Sequence, residues 1–211
     1  MMRQTAVTPT ETGPSAVASS TATGARHLAM QSGIVIASTA LVALCAHISI
    51  PLGFTPVPIT LQPFAVLLLG LLLAPQISFA ALSLYLLEGA AGLPVFSPHG
   101  LGGIAQLFGP TGGYLLAAPF AAAVAGLIYR DGKRKFLAAL AGAAAGDVIL
   151  LAIGTLWLGA LAHTSFPALL SESVLPFLAS DAAKVVAAAA CAQIFASFSG
   201  TSFSKRSSQT E

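Results

Sequence analysis

The chain has 211 residues, of which 56% are hydrophobic and only 8% are charged, and its formal net charge is +2 at pH 7. A soluble domain carries about 25% charged residues, so this composition excludes a protein whose whole surface faces water, and lipid must cover most of it. The small net charge gives no indication of a nucleic-acid partner.

The chain opens with a polar segment, residues 1–26, that is rich in Thr, Ser, Ala, Gly and Pro and lacks a periodic apolar pattern. Such a composition predicts a disordered cytoplasmic tail. The first apolar run, Leu28–Ile50, has 23 residues, which is enough to cross a membrane. Because it follows Arg26 directly and is not trailed by a small-x-small cleavage site, we expect a membrane helix and not a signal peptide.

Five further apolar runs follow, at Ile59–Ala74, Ile77–Ala91, Gly113–Tyr129, Phe136–Leu161 and Leu175–Phe198. The first two of these are short, and a break at Pro75 and Gln76 favours a tight helical hairpin over one long helix. The runs are continuous and do not alternate, which excludes a membrane β-barrel. The pattern therefore predicts an all-α bundle of six transmembrane helices over residues 27–200, followed by a cytoplasmic tail at 201–211.

The positions of the basic residues predict the orientation. They lie before the first run, between the fourth and fifth, and after the sixth, namely Arg26, Arg130, Lys133, Arg134, Lys135, Lys205 and Arg206. With six spans these residues all fall on one side, which the positive-inside rule makes cytoplasmic. The opposite loops, 51–58, 92–112 and 162–174, contain no Lys or Arg. Both termini are therefore expected in the cytoplasm.

The outer loops are unusually apolar and rich in Pro and Gly. Pro51, Pro56 and Pro58 lie in the first loop, and the segment 92–113 carries seven glycines and three prolines. Irregular backbone near a membrane is tolerated where it lines a cavity. We therefore expect ordered outer loops that act as lids over a cavity open to the outside.

Four ionisable residues fall inside the predicted spans or near their ends: Glu88, Asp147, Asp181 and Lys184. An unpaired charge at mid-bilayer costs about 2.5–3.5 kcal/mol, so these groups need partners or a function. The i, i+3 spacing places Asp181 and Lys184 on one helix face, either as a structural pair or as a ligand clamp. In a clamp the Asp accepts from N–H groups and the Lys donates to a carbonyl, as a cyclic urea or amide requires. For Asp147, pocket lining and a structural hydrogen bond are equal alternatives.

The sequence gives no supported pattern for catalysis, a metal or a cofactor. Gly100, Gly102 and Ala105 fit the dinucleotide fingerprint G-x-G-x-x-A, but no βαβ unit surrounds them. There is no G-x-x-x-x-G-K motif for ATP hydrolysis, and the histidines and serines do not form a metalloprotease or hydrolase motif. We therefore expect a protein that is not an enzyme. Cys45 and Cys191 lie in apolar runs and are expected to pack as small apolar residues.

Small residues form one face of the first predicted helix. Gly33, Ala37 and Ala40 recur at helical spacing. Such a face serves either packing within the bundle or docking of a partner helix, because small side chains let helix backbones approach closely.

Four motifs occur in order along the chain: TPVPITLQ at residues 55–62, GLPVF at 92–96 after Tyr85 and Gly89, GPTGGY at 109–114, and Pro176-Phe177 ahead of Asp181 and Lys184. Together they resemble the motifs of the BioY family, the biotin-specific S components of energy-coupling factor transporters. The resemblance covers roughly residues 28–198.

This resemblance implies a six-helix subunit of the prokaryotic plasma (inner) membrane that captures biotin from outside. It implies delivery inward by docking with a transmembrane coupling subunit and two ATPases, and it leaves open whether the protein forms a homo-oligomer. Asp181 and Lys184 would contact the ureido ring. Further pocket residues implied by the motifs are Gln62, Tyr85 and Tyr114, with apolar contacts from Phe54, Val57 and Phe96.

Two departures from the family pattern stand out: Glu88 occupies a position where an apolar or small residue is expected, and the chain contains no asparagine. The alternative function is a stand-alone proton-coupled transporter in which Glu88, Asp147 and Asp181 form a proton relay. The two halves of the chain show no inverted repeat, which argues against this alternative.

Overall fold

The structure, a computed structural model, describes residues 14–132, 135–163 and 165–207. By its contacts the chain divides into two units, Met1–Ile34 and Val35–Glu211. The described part of the first unit is helical throughout. The second unit holds the end of the first helix and all of the other elements.

The described residues form eight helices, in chain order α1 (Pro14–His47), α2 (Gln62–Leu72), α3 (Pro75–Ala90), α4 (Gly103–Phe108), α5 (Gly112–Asp131), α6 (Lys135–Ala162), α7 (Phe166–Ser173) and α8 (Leu178–Ser207). The strands β1 (Ser49–Ile50) and β2 (Ile59–Thr60) form an antiparallel ribbon that brackets the first outer loop. Four helices contain a stretch that is long and apolar enough to cross a membrane: Leu28–His47, Gly112–Arg130, Lys135–Ala162 and Leu178–Phe198.

The predicted all-α class is confirmed, and each of the six apolar runs overlaps one of the helices α1, α2, α3, α5, α6 and α8. The length of α2 is about 16 Å and that of α3 about 24 Å at 1.5 Å per residue, whereas the hydrocarbon core is about 30 Å thick. Among the described residues four helices can therefore span by length alone, and six spans stay a prediction.

Two helices extend into the segments predicted as tails. Helix α1 begins at Pro14, inside the segment predicted as a disordered tail. Residues 1–13 lie outside the described part, and the tail over residues 1–26 stays a prediction. Proline suits the first position of a helix, where its missing N–H has no intrahelical partner, and the following residues include several alanines. At the other end, α8 continues to Ser207, into the segment predicted as a tail.

The first predicted span ends early, at His47, because Ser49 and Ile50 pair with Thr60 and Ile59 across the ribbon. The second predicted span begins late for the same reason, and α2 starts only at Gln62. β-branched residues such as isoleucine and threonine favour the extended backbone of a strand over a helix.

The break between α2 and α3 lies at Leu73 and Ala74, two residues before the predicted position. Both residues are extended, with ψ of 160° and 140°. The residue before a proline is pushed out of the helical region, whereas the proline itself is favoured in the first turn of the next helix. Pro75 therefore begins α3, and Pro75 and Gln76 are not a linker.

Helix α2 lies at the centre of the second unit. Its residues Ala65–Leu71 are buried, and it contacts α3, α5, α6 and α8, as expected for a helix that is apolar on all sides. Glycines let the backbones approach closely: a Cβ atom at Gly70 would lie 2.5 Å from the carbonyl oxygen of Ala122, and one at Gly142 would lie 2.5 Å from that of Ala125. Side chains on these helices are thereby held on a rigid frame.

The second outer loop turns back onto α3 through a Schellman motif. Gly92 adopts φ +95°, its N–H donates to the carbonyl of Gly89, and the N–H of Leu93 donates to that of Glu88. A Cβ atom at Gly89 would overlap the ring of Phe96, so the missing side chain makes room for that ring. The loop is thus ordered and forms part of a cavity wall.

Candidate functional site

A cavity lies in the second unit, between α2, α5, α6, α8 and the outer loops. Together with its open mouth it takes up about 690 Å³ that no protein atom fills. Its lining residues are Val57, Pro58, Thr60, Gln62, Pro63, Val66, Ser97, Gln106, Thr111, Tyr114, Leu115, Ala118, Asp147, Leu150, Leu151, Phe177, Asp181 and Lys184.

The ion pair predicted from the i, i+3 spacing is formed at the start of α8. The Lys184 Nζ donates to Asp181 Oδ1 over 2.7 Å, and their side chains are only 8% and 6% exposed. The Ser180 hydroxyl also donates to Asp181 Oδ1, over 3.3 Å. Because Asp181 lies in the first turn of α8, the helix dipole further stabilises its negative charge. The pair is part of the cavity wall and is not enclosed between helices.

Asp147 lies on α6 in the same cavity wall and is 8% exposed. Its Oδ1 atom is buried and has no hydrogen-bond partner among the described residues, and the same holds for the Ser97 hydroxyl. Most buried polar atoms in proteins have a partner, so these two atoms are available to hydrogen-bond a molecule in the cavity. Of the two alternatives for Asp147, the structure favours pocket lining.

Three more of the predicted site residues line the cavity. Gln62 is the first residue of α2, and Val57 comes from the first outer loop. Tyr114 extends from the first turn of α5, where its hydroxyl donates to the carbonyl of Ser173 over 3.1 Å. This bond links α5 to the end of α7 and fixes the orientation of the ring.

Tyr85 and Phe96, both predicted pocket residues, do not line the cavity. Their rings pack edge to face with centroids 5.3 Å apart, and the Tyr85 hydroxyl donates to the carbonyl of Val95 over 3.0 Å. Both side chains are buried in the core, where they hold the second outer loop on α3. Phe54, the third such residue, is 63% exposed in the first outer loop.

The acidic residues proposed for a proton relay are only partly brought together. Asp147 and Asp181 line one cavity, whereas Glu88 does not line it. The Glu88 carboxylate instead accepts a hydrogen bond of 3.3 Å from the hydroxyl of Thr39 on α1. The residue is half-buried and makes a structural contact between two helices.

Ser97 and Gln106 were not predicted from the sequence. Gln106 lies on α4, is 2% exposed, and accepts a hydrogen bond from the Gly102 N–H over 3.2 Å. Both residues line the cavity from the second outer loop and the helix that follows it. Residues 92–112 contain four polar side chains, at Ser97, His99, Gln106 and Thr111, and three of the four line the cavity.

The small-residue face of α1 is exposed at Gly33, Ala37 and Ala40. Within the second unit the described residues do not cover Ala37 and Ala40, which argues against packing of these two residues inside the bundle. An uncovered face of small residues in a membrane protein suits close approach by another helix.

The chain matches the sequence model of the BioY family over residues 17–200. It is 38% identical over 165 residues to a probable biotin transporter BioY from Pyrococcus horikoshii, covering 78% of this chain and 95% of that protein. It is 42% identical over 151 residues to the biotin transporter BioY from Thermotoga maritima, covering 72% and 86%.

The fold is similar to that of a solved structure, the S-component for biotin from an ECF-type ABC transporter. The TM-score is 0.75 at 24% sequence identity, and the alignment covers 82% of this chain and 93% of that chain. This likeness shows the fold.

Proposed function

The chain belongs to the BioY family, and we propose on that basis that it is the membrane-embedded subunit that binds biotin for uptake into the cell. Two relatives that are matched over 95% and 86% of their own length are named as biotin transporters. The single observation that carries the proposal is the Asp181–Lys184 pair, because it places a buried carboxylate and a buried ammonium together at a cavity wall.

The pair matches the ureido ring of biotin. That ring presents two N–H donors and one carbonyl acceptor. The Lys184 Nζ donates to the carbonyl oxygen, and the Asp181 carboxylate accepts from an N–H. A carboxylate offers about four lone-pair sites, so Asp181 can bind Lys184 and a ligand at the same time. Inside a cavity of low dielectric, such charge-assisted hydrogen bonds are stronger than they are in water.

The rest of biotin is apolar apart from its carboxylate, and the cavity offers apolar walls. Val66, Leu115, Leu150 and Phe177 come from three helices and the start of a fourth. They suit the thiophane ring and the methylene tail, whose burial contributes roughly 0.8 kcal/mol per CH₂. Phe54 would join these contacts when the first outer loop closes over the ligand.

Net uptake needs a source of energy that the chain's motifs do not supply. We assign this role to a transmembrane coupling subunit with two ATPases, in keeping with the ECF-type fold neighbour. The exposed face of Gly33, Ala37 and Ala40 would dock the coupling subunit.

The protein would cross a prokaryotic plasma (inner) membrane six times with both termini in the cytoplasm. Such a transporter is not an enzyme and needs no cofactor.

The test is equilibrium binding of radiolabelled biotin to the purified protein in detergent, with two competitors. Desthiobiotin keeps the ureido ring and loses the sulfur, whereas lipoic acid keeps a sulfur ring and a similar tail and lacks the ureido group. We expect saturable biotin binding that desthiobiotin displaces and lipoic acid does not. No biotin binding by a folded preparation would contradict the proposed function, and equal displacement by lipoic acid would contradict the ureido clamp.

A further inference from the structure

We propose that Asp147 is a second ligand-recognition residue, which accepts a hydrogen bond from the ureido N–H that Asp181 does not bind. The inference rests on the proposed function and adds a specificity-determining residue to it. Its basis is geometric: the Asp147 Oδ1 atom lies in the cavity wall, is buried and has no hydrogen-bond partner among the described residues.

The cavity wall holds one more carboxylate than cation. The lining residues include two carboxylates, Asp147 and Asp181, and a single cation, Lys184. The Lys184 Nζ is bound to Asp181 Oδ1 at 2.7 Å. Asp147, on the neighbouring helix α6, makes no ion pair among the described residues. A buried carboxylate in this position needs a donor, because leaving it unsatisfied is costly.

A cyclic urea supplies the missing donor. Its two N–H groups lie on either side of one carbonyl, so two acceptors and one donor complete its hydrogen bonding. Asp181, Asp147 and Lys184 are such a set, and they come from two helices that pack against each other. A second N–H satisfies Asp147 without adding charge. A metal cation would satisfy the same oxygen, and the sodium dependence of binding distinguishes it from an N–H donor.

The experiment compares biotin binding by the wild-type protein and by Asp147→Leu, which removes both acceptor oxygens while keeping the branch at Cγ. We expect Asp147→Leu to weaken binding roughly 10- to 100-fold, the range for loss of a charge-assisted hydrogen bond. Asp147→Asn keeps one acceptor oxygen and should lose less. Glu88→Gln is the matched control, since Glu88 is an acidic residue on a neighbouring helix that does not line the cavity. It should bind biotin as the wild type does.

Two mono-N-methylated biotins then separate recognition from a structural role. Each lacks one of the two ureido N–H groups. For the isomer that lacks the N–H facing Asp147, wild type and Asp147→Leu should bind equally well. For the other isomer the difference between the two proteins should persist. This coupling is a double-mutant cycle between a protein group and a ligand group. Circular dichroism and thermal unfolding in detergent check that the variants fold.

Three results would overturn the inference. One is wild-type affinity for biotin in Asp147→Leu. Another is an equal loss for biotin and both methylated forms, which would make the role structural. The third is biotin binding that requires sodium in the wild type but not in Asp147→Leu, which would make a cation the partner of Asp147. Failure of the wild type to bind biotin would instead overturn the proposed function, and this inference with it.

Discussion

The Lys184 Nζ lies 2.7 Å from Asp181 Oδ1, and both side chains are more than nine-tenths buried where α8 meets the cavity. Removing water from two charges costs several kcal/mol for each ion, and their mutual attraction offsets this cost only where the geometry is good. Breaking such a pair from one side leaves a buried charge without a partner. Replacing both members by apolar residues removes the penalty together with the attraction.

The paired replacement separates a structural ion pair from a ligand clamp. Lys184→Met alone should lower the free energy of unfolding by about 3–5 kcal/mol because Asp181 keeps an uncompensated charge. Adding Asp181→Leu should restore most of this loss, since no buried charge is left. Biotin binding should stay absent in the double variant. Thermal unfolding in detergent and equilibrium binding measure the two quantities. A double variant that regains binding along with stability would show that the pair is structural.

Gly154→Ala should both destabilise the protein and weaken ligand binding. A Cβ atom at this position would overlap the ring of Tyr114, whose hydroxyl bond to Ser173 fixes it in the cavity wall. Overpacking of this kind costs about 1–3 kcal/mol, more than the gain of about 1 kcal/mol in helix propensity. Gly33→Ala is the control, because no atom lies within 4 Å of its added methyl group. Unfolding of Gly154→Ala at or above the wild-type temperature would contradict the prediction.

Phe96 and Phe54 should respond differently to replacement by alanine. Phe96→Ala removes a buried ring that packs on Tyr85 and should cost about 3–5 kcal/mol of unfolding free energy. Phe54→Ala should leave stability unchanged because the ring is exposed. If the first outer loop closes over the ligand, Phe54→Ala should release biotin faster and bind it more weakly. Denaturant unfolding measures the effect on stability, and biotin dissociation rates measure the effect on binding. Equal destabilisation by the two variants would contradict the buried position of Phe96 and the exposed position of Phe54.

Enlarging the small-residue face should uncouple binding from transport. The variant Ala37→Leu/Ala40→Leu should bind biotin with unchanged affinity, because neither residue lines the cavity. It should lose most biotin uptake in cells and most co-purification with the coupling subunit, since leucines prevent close helix approach. Ile36→Leu, an exposed position on the same helix, is the control. Normal uptake by the double variant would show that the coupling subunit docks on another surface.

The orientation is open to a cysteine-labelling test. After Cys45 and Cys191 are replaced by alanine, single cysteines are introduced at His99 and Gly132, which lie between α3 and α4 and between α5 and α6. A membrane-impermeant maleimide should label position 99 in intact cells. It should label position 132 only after permeabilisation, because the basic residues mark that side as cytoplasmic. The opposite pattern would reverse the orientation.

The long helices could be predicted from the sequence because continuous apolar runs and a proline are local signals. The break near Pro75 was predicted to within two residues for this reason. The short helices α4 and α7 could not, because a helix of six or eight residues gains its stability from tertiary contacts and not from its own sequence. The ribbon at Ser49–Ile50 was missed because its partner strand lies nine residues further on.

At the site, too, local signals could be predicted from the sequence and features that depend on tertiary folding could not. Asp181 and Lys184 were predictable since both lie on one helix face, where spacing alone brings them together. Gln106 was not, because its place depends on how the second outer loop folds: its carboxamide accepts a bond from the Gly102 N–H. Tyr85 and Phe96 belong to the family motifs but contribute to packing, and a motif alone does not distinguish a residue that binds a ligand from one that holds a loop.

The most direct test of the central claim is isothermal titration of biotin into the detergent-solubilised wild type, Asp181→Asn and Lys184→Met, each checked for folding. Saturable binding by the wild type, weakened at least about 10-fold in both variants, is the predicted result for loss of a charge-assisted hydrogen bond. Wild-type affinity in both folded variants would contradict the assignment of the ureido clamp to Asp181 and Lys184.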